Sequence, residues 1–243
     1  MLEQLAVFLD SIGIPKAAEQ VSFLFDPVNI PFAIWETLYA PLIATVLAYI
    51  IGLPLGGLLG TGEEGGIHPL PKAFMRVLNT VINLLRSIPF LILMVMVFPL
   101  SRLILGTTIG TMATIVPLTV AAAPYVARLV EASLREMDRG VIEAAQSMGC
   151  STWQIVTKVM LPECKPSQIN GATNAAITIL SYGAMAGNIG GGGLGAISLQ
   201  RGYQRNQVIV LYVAVIILVV LVQIIQSIGT ALSVKTDRRI THK

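Results

Sequence analysis

Five stretches of this chain are each long and apolar enough to cross a lipid bilayer, and no other feature limits the fold as strongly. A spanning helix needs about 20 mostly apolar residues, and the segments near 37–60, 77–100, 107–130, 168–189 and 207–233 meet that requirement. Hydrophobic residues make up 54% of the 243 and charged residues 12%, about half the charge of an ordinary soluble domain. So much apolar surface has to be covered by lipid. The expected fold is therefore an all-α membrane protein of about five transmembrane helices. Residues 1–36 fail the test, because Glu3, Asp10, Lys16, Glu19 and Asp26 recur too often and Pro15, Pro27 and Pro31 interrupt any long helix. They are expected to form an extracytoplasmic extension, an amphipathic helix lying at the membrane interface. The transmembrane domain then occupies 37–233, with a tail over 234–243. No basic leader followed by a small-residue cleavage site marks a cleavable signal.

Orientation follows from the basic residues, since cytoplasmic flanks retain Lys and Arg. Eleven of the sixteen fall in three places: Lys72 and Arg76 after the first span; Arg128, Arg135, Arg139, Lys158 and Lys165 after the third; Lys235, Arg238, Arg239 and Lys243 in the tail. The opposite side holds only Lys16, Arg102, Arg201 and Arg205, beside five acids in residues 1–36. The reading is an outside amino terminus and an inside carboxyl terminus. Thinly spread cations with no interleaved aromatic stripe argue against nucleic-acid binding despite the formal charge of +3. Cys150 and Cys164 have neither metal-site spacing nor a disulfide framework and read as two reduced thiols.

The polar stretch between the third and fourth spans, about 131–167, has helical signals of its own. Asp138 is placed to cap a short helix through Glu143 to Met148, ended by Gly149. Ser151 with Gln154 makes a capping box for a second helix running to Leu161 before Pro162. Within it, Glu143-Ala144-Ala145, then Gly149, then Val159-Met160-Leu161-Pro162 resembles the EAA loop of bacterial ABC importer permeases, with Val159 in place of the usual Ile. Further blocks are similar to the methionine-uptake branch of that family: Trp35-Glu36-Thr37-Leu38, Ile51-Gly52-Leu53-Pro54, Arg86-Ser87-Ile88-Pro89-Phe90, Ile115-Val116-Pro117-Leu118-Thr119, Ala123-Pro124 and Gly192-Gly193-Leu194-Gly195. The resemblance covers about residues 33–235.

That resemblance implies a type I ABC importer permease in a bacterial inner membrane. It implies a homodimer that binds two ATPase subunits on its cytoplasmic side and accepts L- or D-methionine from an extracytoplasmic binding protein. Glu143, Ala144, Ala145, Gly149, Val159, Leu161 and Pro162 would couple the chain to the ATPase, with Ala144 and Ala145 at the contact and Glu143 near a helix start. ATP and Mg would be held by the ATPase partner, the chain itself carrying no cofactor, no metal and no catalytic group. Another amino acid or a small peptide is the alternative cargo. An ion-driven carrier is disfavoured, since such carriers place acids at mid-membrane and the 13 acids here fall in the extension, loops, span ends or tail.

Candidate path residues are fewer. Arg86 is a charge well inside a span, where it faces protein or water or else snorkels to the cytoplasmic end. Pro89 should kink the second span. Tyr182, Met185 and Asn188 follow at helical spacing and are candidates for the substrate path, a stripe that packing between helices also explains. The run Gly187–Gly195 lacks the Lys-Ser or Lys-Thr that closes a phosphate loop and reads as a flexible external turn.

Overall fold

The structure, a computed structural model, describes residues 16–63 and 65–237, and every regular element among them is helical. The helices are α1 (Ala17–Leu24), α2 (Asn29–Thr61), α3 (Lys72–Ser87), α4 (Phe90–Leu105), α5 (Thr111–Arg135), α6 (Arg139–Ser147), α7 (152–163), α8 (Lys165–Ala186), α9 (193–203) and α10 (Val208–Thr236). By length and composition α2, α5 and α10 can each cross a membrane, and α3 with α4 adds a fourth if that bent pair is one span. The remaining expected span is α8. It has 22 residues, but Gln168, Asn170 and Asn174 leave it less apolar than expected, and it does not pass as a span by length and composition.

Several boundaries differ from expectation for local reasons. α2 begins at Asn29, so residues 29–36 belong to a long helix rather than to the extension. Pro31 sits in its first turn, where the N–H that proline lacks has no intrahelical partner anyway. The second expected span, 77–100, is not one kinked helix: α3 stops at Ser87, Ile88 is extended with φ −79° and ψ 126°, and α4 restarts at Phe90. A residue preceding proline is driven out of the helical region by the proline ring. Residues 1–15 of the expected extension, and the tail beyond 237, lie outside the described residues.

Two compact bodies divide the chain. One comprises the residues up to Ala44, Phe90–Leu118 and Thr178–Ile224. Its apolar core is Ala33, Leu194 and Ala214, packed by Ile34, Ile197, Ile217, Leu218 and Leu221. Here α1 is docked on protein: the buried Gln20 Oε1 accepts from the Ile209 N–H at 2.9 Å, and the buried Gln207 Nε2 donates to Glu19 Oε1 at 2.9 Å. Gln20 thereby satisfies one of the orphan N–H groups at the start of α10. The Arg201 guanidinium lies 4.0 Å over the Phe23 ring.

The second body comprises Thr45–Pro89, Thr119–Ile177 and the chain from Ile225. Its tightest packing is α2 on α5, through Gly52, Gly56 and Gly60 at four-residue spacing. A Cβ on Gly52 would stand 2.7 Å from Val126 Cγ1, one on Gly56 2.6 Å from Val130 Cβ, and one on Gly60 3.1 Å from Leu134 Cδ1. Helices in lipid lack a hydrophobic drive to associate, so small residues that let backbones approach supply the packing instead. Leu59, Met75, Ile82 and Ala127 form the adjoining core. Outward-facing side chains of the long helices, such as Val46, Ile50, Ile216 and Val219, are large, apolar and exposed, as lipid contact requires.

Candidate functional site

The helix pair of the EAA stretch is built by local signals. Asp138 Oδ1 accepts from the Gly140 N–H at 2.8 Å and opens α6. At its end Gly149 takes φ +75°, the Cys150 N–H reaches Ala145 O at 3.1 Å, and the Gly149 N–H reaches Gln146 O at 2.9 Å. These are the two reversed bonds of a Schellman ending, which needs a left-handed residue at this point and so favours glycine. Ser151 and Gln154 form the expected box, with the Ser151 N–H donating to Gln154 Oε1 at 2.9 Å. α7 does not end before Pro162 but runs through it to Glu163. Turns over Ile155–Met160 widen to the π type, and the Leu161 N–H bonds back to Val156 O, so the register has already shifted where the proline would leave a gap.

The residues expected to couple the chain to a partner are split by this geometry. Ala144 is exposed but Ala145 is only 2% exposed, so Ala145 packs within the chain. Glu143 is exposed at the middle of α6 rather than at its start, which Asp138 occupies. Val159 and Leu161 are half-buried and Pro162 is exposed. The protruding apolar groups are instead Met148 and Trp153, 76% and 75% exposed, beside the turn at Gly149, which has open space around its Cα.

Beside this loop lies a charged hub that sequence reasoning missed. Glu131, 5% exposed in the last turns of α5, uses both carboxylate oxygens: Arg128 Nη1 donates to Oε2 at 2.6 Å and Arg135 Nη2 donates to Oε1 at 2.6 Å. Arg128 Nη2 also donates to Asn79 Oδ1 at 2.8 Å and Asn83 Oδ1 at 2.9 Å, both on α3. Arg135 also pairs with Glu63, in the connection after α2. A cleft of about 380 Å³ lies alongside, lined by Glu63, Arg135, Arg139 and Glu143 among others. The spacing 128, 131, 135 was the available signal, since i,i+3 and i,i+4 neighbours share a helix face.

The expected path residues do not form one cluster. Arg86 is exposed in the last turn of α3, and Pro89 is exposed at the break that follows. Tyr182 turns aside and stacks on Phe90, with ring centroids 4.4 Å apart and planes 7° from parallel. Met185 and Asn188 are exposed, and so are Ser181, Asn174 and Asn170 earlier in α8. A spacing of four, seven and four residues puts Asn170, Asn174, Ser181 and Met185 on one face of α8, and Asn188 follows in the tighter turn Gly187–Ile189. Sequence inspection found the end of this stripe and not its beginning.

The glycine run is pinned, contrary to the expectation of a free turn. Glu36, within α2, accepts the Thr111 hydroxyl on Oε1 at 2.6 Å and the Gly193 N–H on Oε2 at 2.9 Å. Thr37 Oγ1 accepts the Leu194 N–H at 2.8 Å, and Gln200 Nε2 donates to Gly187 O at 3.0 Å. Gly193 has φ +79°, and a side chain on Gly192 would collide with Thr111 and Glu36. Such close backbone approach is what the run of glycines permits.

A search for kin settles the family. Residues 52–237 match the family described as binding-protein-dependent transport system inner membrane component. The chain belongs to that family. Among its members, the probable D-methionine transport system permease protein MetI of Vibrio cholerae is 49% identical over 208 residues, spanning 85% of this chain and 92% of that protein. The D-methionine transport system permease protein MetI of Escherichia coli K12 is 46% identical over 154 residues, 63% of this chain and 70% of its own length. A solved structure of inward facing conformations of the MetNI methionine ABC transporter aligns with a TM-score of 0.82 at 43% identity, covering 84% of this chain and 94% of that one. An amino acid ABC transporter with histidines aligns at a TM-score of 0.69 and 16% identity, which supports the shared fold alone. This family member thus has the all-α ABC importer permease fold and is a multi-pass membrane protein.

Proposed function

We propose that this chain is the membrane-spanning subunit of an ATP-driven methionine importer, working as a homodimer with two ATPase subunits and an extracytoplasmic binding protein. The observation that carries the reading is the α6–α7 pair, in which EAA spacing, a left-handed Gly149 and the protruding Met148 and Trp153 coincide on one loop. The loop is cytoplasmic, with the amino terminus outside and the carboxyl terminus inside, on the strength of the basic-residue distribution. ATP and Mg belong to the partner. On nucleotide closure the ATPase subunits move α6, and the permease shifts between outward-open and inward-open states. Met185 and Asn188, exposed at the end of α8 and in the turn that follows it, line the path.

Reconstitution tests this directly. In proteoliposomes containing the permease, its cognate ATPase and binding protein, radiolabelled methionine should accumulate only with ATP. Uptake driven by an ion gradient without ATP would overturn the ATP-driven reading, and stronger competition by a different amino acid or a peptide would overturn the cargo. Gly149→Val is expected to strain the left-handed turn by about 1–2 kcal/mol and to abolish uptake while the chain still inserts. A variant with full uptake and bound ATPase would remove the docking role of the turn.

A further inference from the structure

We propose that Glu131 is a positioning residue that transmits movement of the docking loop to α3. This inference rests on the coupling role proposed for α6. Among the described residues Glu131 is the one carboxylate that holds both Arg128 and Arg135 in place, and each arginine leads to a different part of the second body. Arg128 grips Asn79 and Asn83, one turn apart on α3. Arg135 grips Glu63 in the connection between α2 and α3. Charge-assisted bonds of this kind are short and directional, and at 5% exposure the central carboxylate is little screened by solvent salt.

The hub is also joined to the docking loop by a short stretch of chain. α6 begins at Arg139, four residues after Arg135, and Arg139 and Glu143 line the same cleft as Arg135 and Glu63. A displacement of α6 therefore reaches the Arg135 end of the hub first, passes through Glu131 to Arg128, and arrives at α3 through two amide oxygens. α3 ends at the break formed by Ile88 and Pro89, where no helical hydrogen bonding resists reorientation. Without Glu131 the two arginines on α5 have no shared anchor, and Arg128 holds Asn79 and Asn83 on α3 without being fixed to the Arg135 end of the hub.

The test uses the complete transporter in proteoliposomes, with ATP hydrolysed per methionine imported as the readout. Free or misassembled ATPase raises that ratio with no change in coupling, so it is read on intact complexes of matched permease-to-ATPase stoichiometry, after subtracting hydrolysis measured without the binding protein. Glu131→Gln keeps the shape and removes the charge; it is expected to raise the ratio by about fivefold or more, the low end for coupling between two sites. Glu131→Asp is expected to restore part of the loss. An unchanged ratio in Glu131→Gln would overturn the proposal. Should that variant fail to assemble, Arg135→Glu decides: a raised ratio that returns toward wild type when Glu63→Arg is added supports the hub, and an unchanged ratio in Arg135→Glu overturns it. A wild-type complex that hydrolyses ATP but moves no methionine points instead to failure of the cargo assignment, and the same ratio is then read with the accepted substrate.

Discussion

Glu36 in one body and Glu131 in the other each commit both carboxylate oxygens, yet their partners differ in kind. Glu36 meets a backbone N–H and a hydroxyl, both neutral. Glu131 meets two guanidinium groups. The first arrangement fixes a backbone that comes too close for side chains, and the carboxylate serves as a two-pronged acceptor. The second balances charge, and its loss strands cations. A carboxylate that shapes a loop should therefore tolerate an isosteric amide, while one that neutralises arginines should not.

The largest expected effect is Glu131→Ala. Removing one member of a buried pair leaves an uncompensated charge, and about 3 kcal/mol is expected, the low end of the usual range, because Arg135 is 47% exposed and can turn to water. The thermal midpoint of the detergent-solubilised chain measures it, and a loss below that of Glu36→Ala would erase the contrast. Glu36→Ala comes next, at about 2 kcal/mol, the cost of leaving the Gly193 N–H without its acceptor. Gly192→Ala sharpens the reason: its Cβ would stand 2.5 Å and 2.7 Å from the Glu36 oxygens, breaking the clasp without removing its charge, and it should match Glu36→Ala by the same measurement to within about 1 kcal/mol. Glu36→Gln should be the smallest, under about 1 kcal/mol, since Thr111 can rotate its hydroxyl to accept from the amide. A larger loss would mean that the charge of Glu36 matters in itself.

The two carboxylates also mark where sequence reading stopped. Asp138, Gly149 and the Ser151–Gln154 box were legible because each acts on backbone within five residues of itself. Glu36 was grouped with the acids of an extension, since nothing nearby in sequence reveals that its partners are Thr111 and Gly193, 75 and 157 residues away. Glu131 was passed over for a similar reason, although its arginines are close by. The hub acquires its meaning from Asn79, Asn83 and Glu63, reached only when α3 and the preceding connection pack on α5. The EAA alanines were treated alike, yet packing buries Ala145 and leaves Ala144 outside. Tyr182 was grouped with Met185 and Asn188 by spacing, and its stacking on Phe90 removed it from their face.

The sequence by itself determined that the chain lives in lipid and where the helices α6 and α7 begin. Apolar length and helix capping are properties of short windows, so they survive without knowledge of the fold. Only the tertiary structure decided that Gly52, Gly56 and Gly60 seat α5, that a glycine run is clasped rather than free, and that Arg128, held by Glu131, ties α5 to α3. Those outcomes depend on which surfaces meet, and surfaces from distant parts of the chain meet only once lipid exclusion and close helix packing have brought them together.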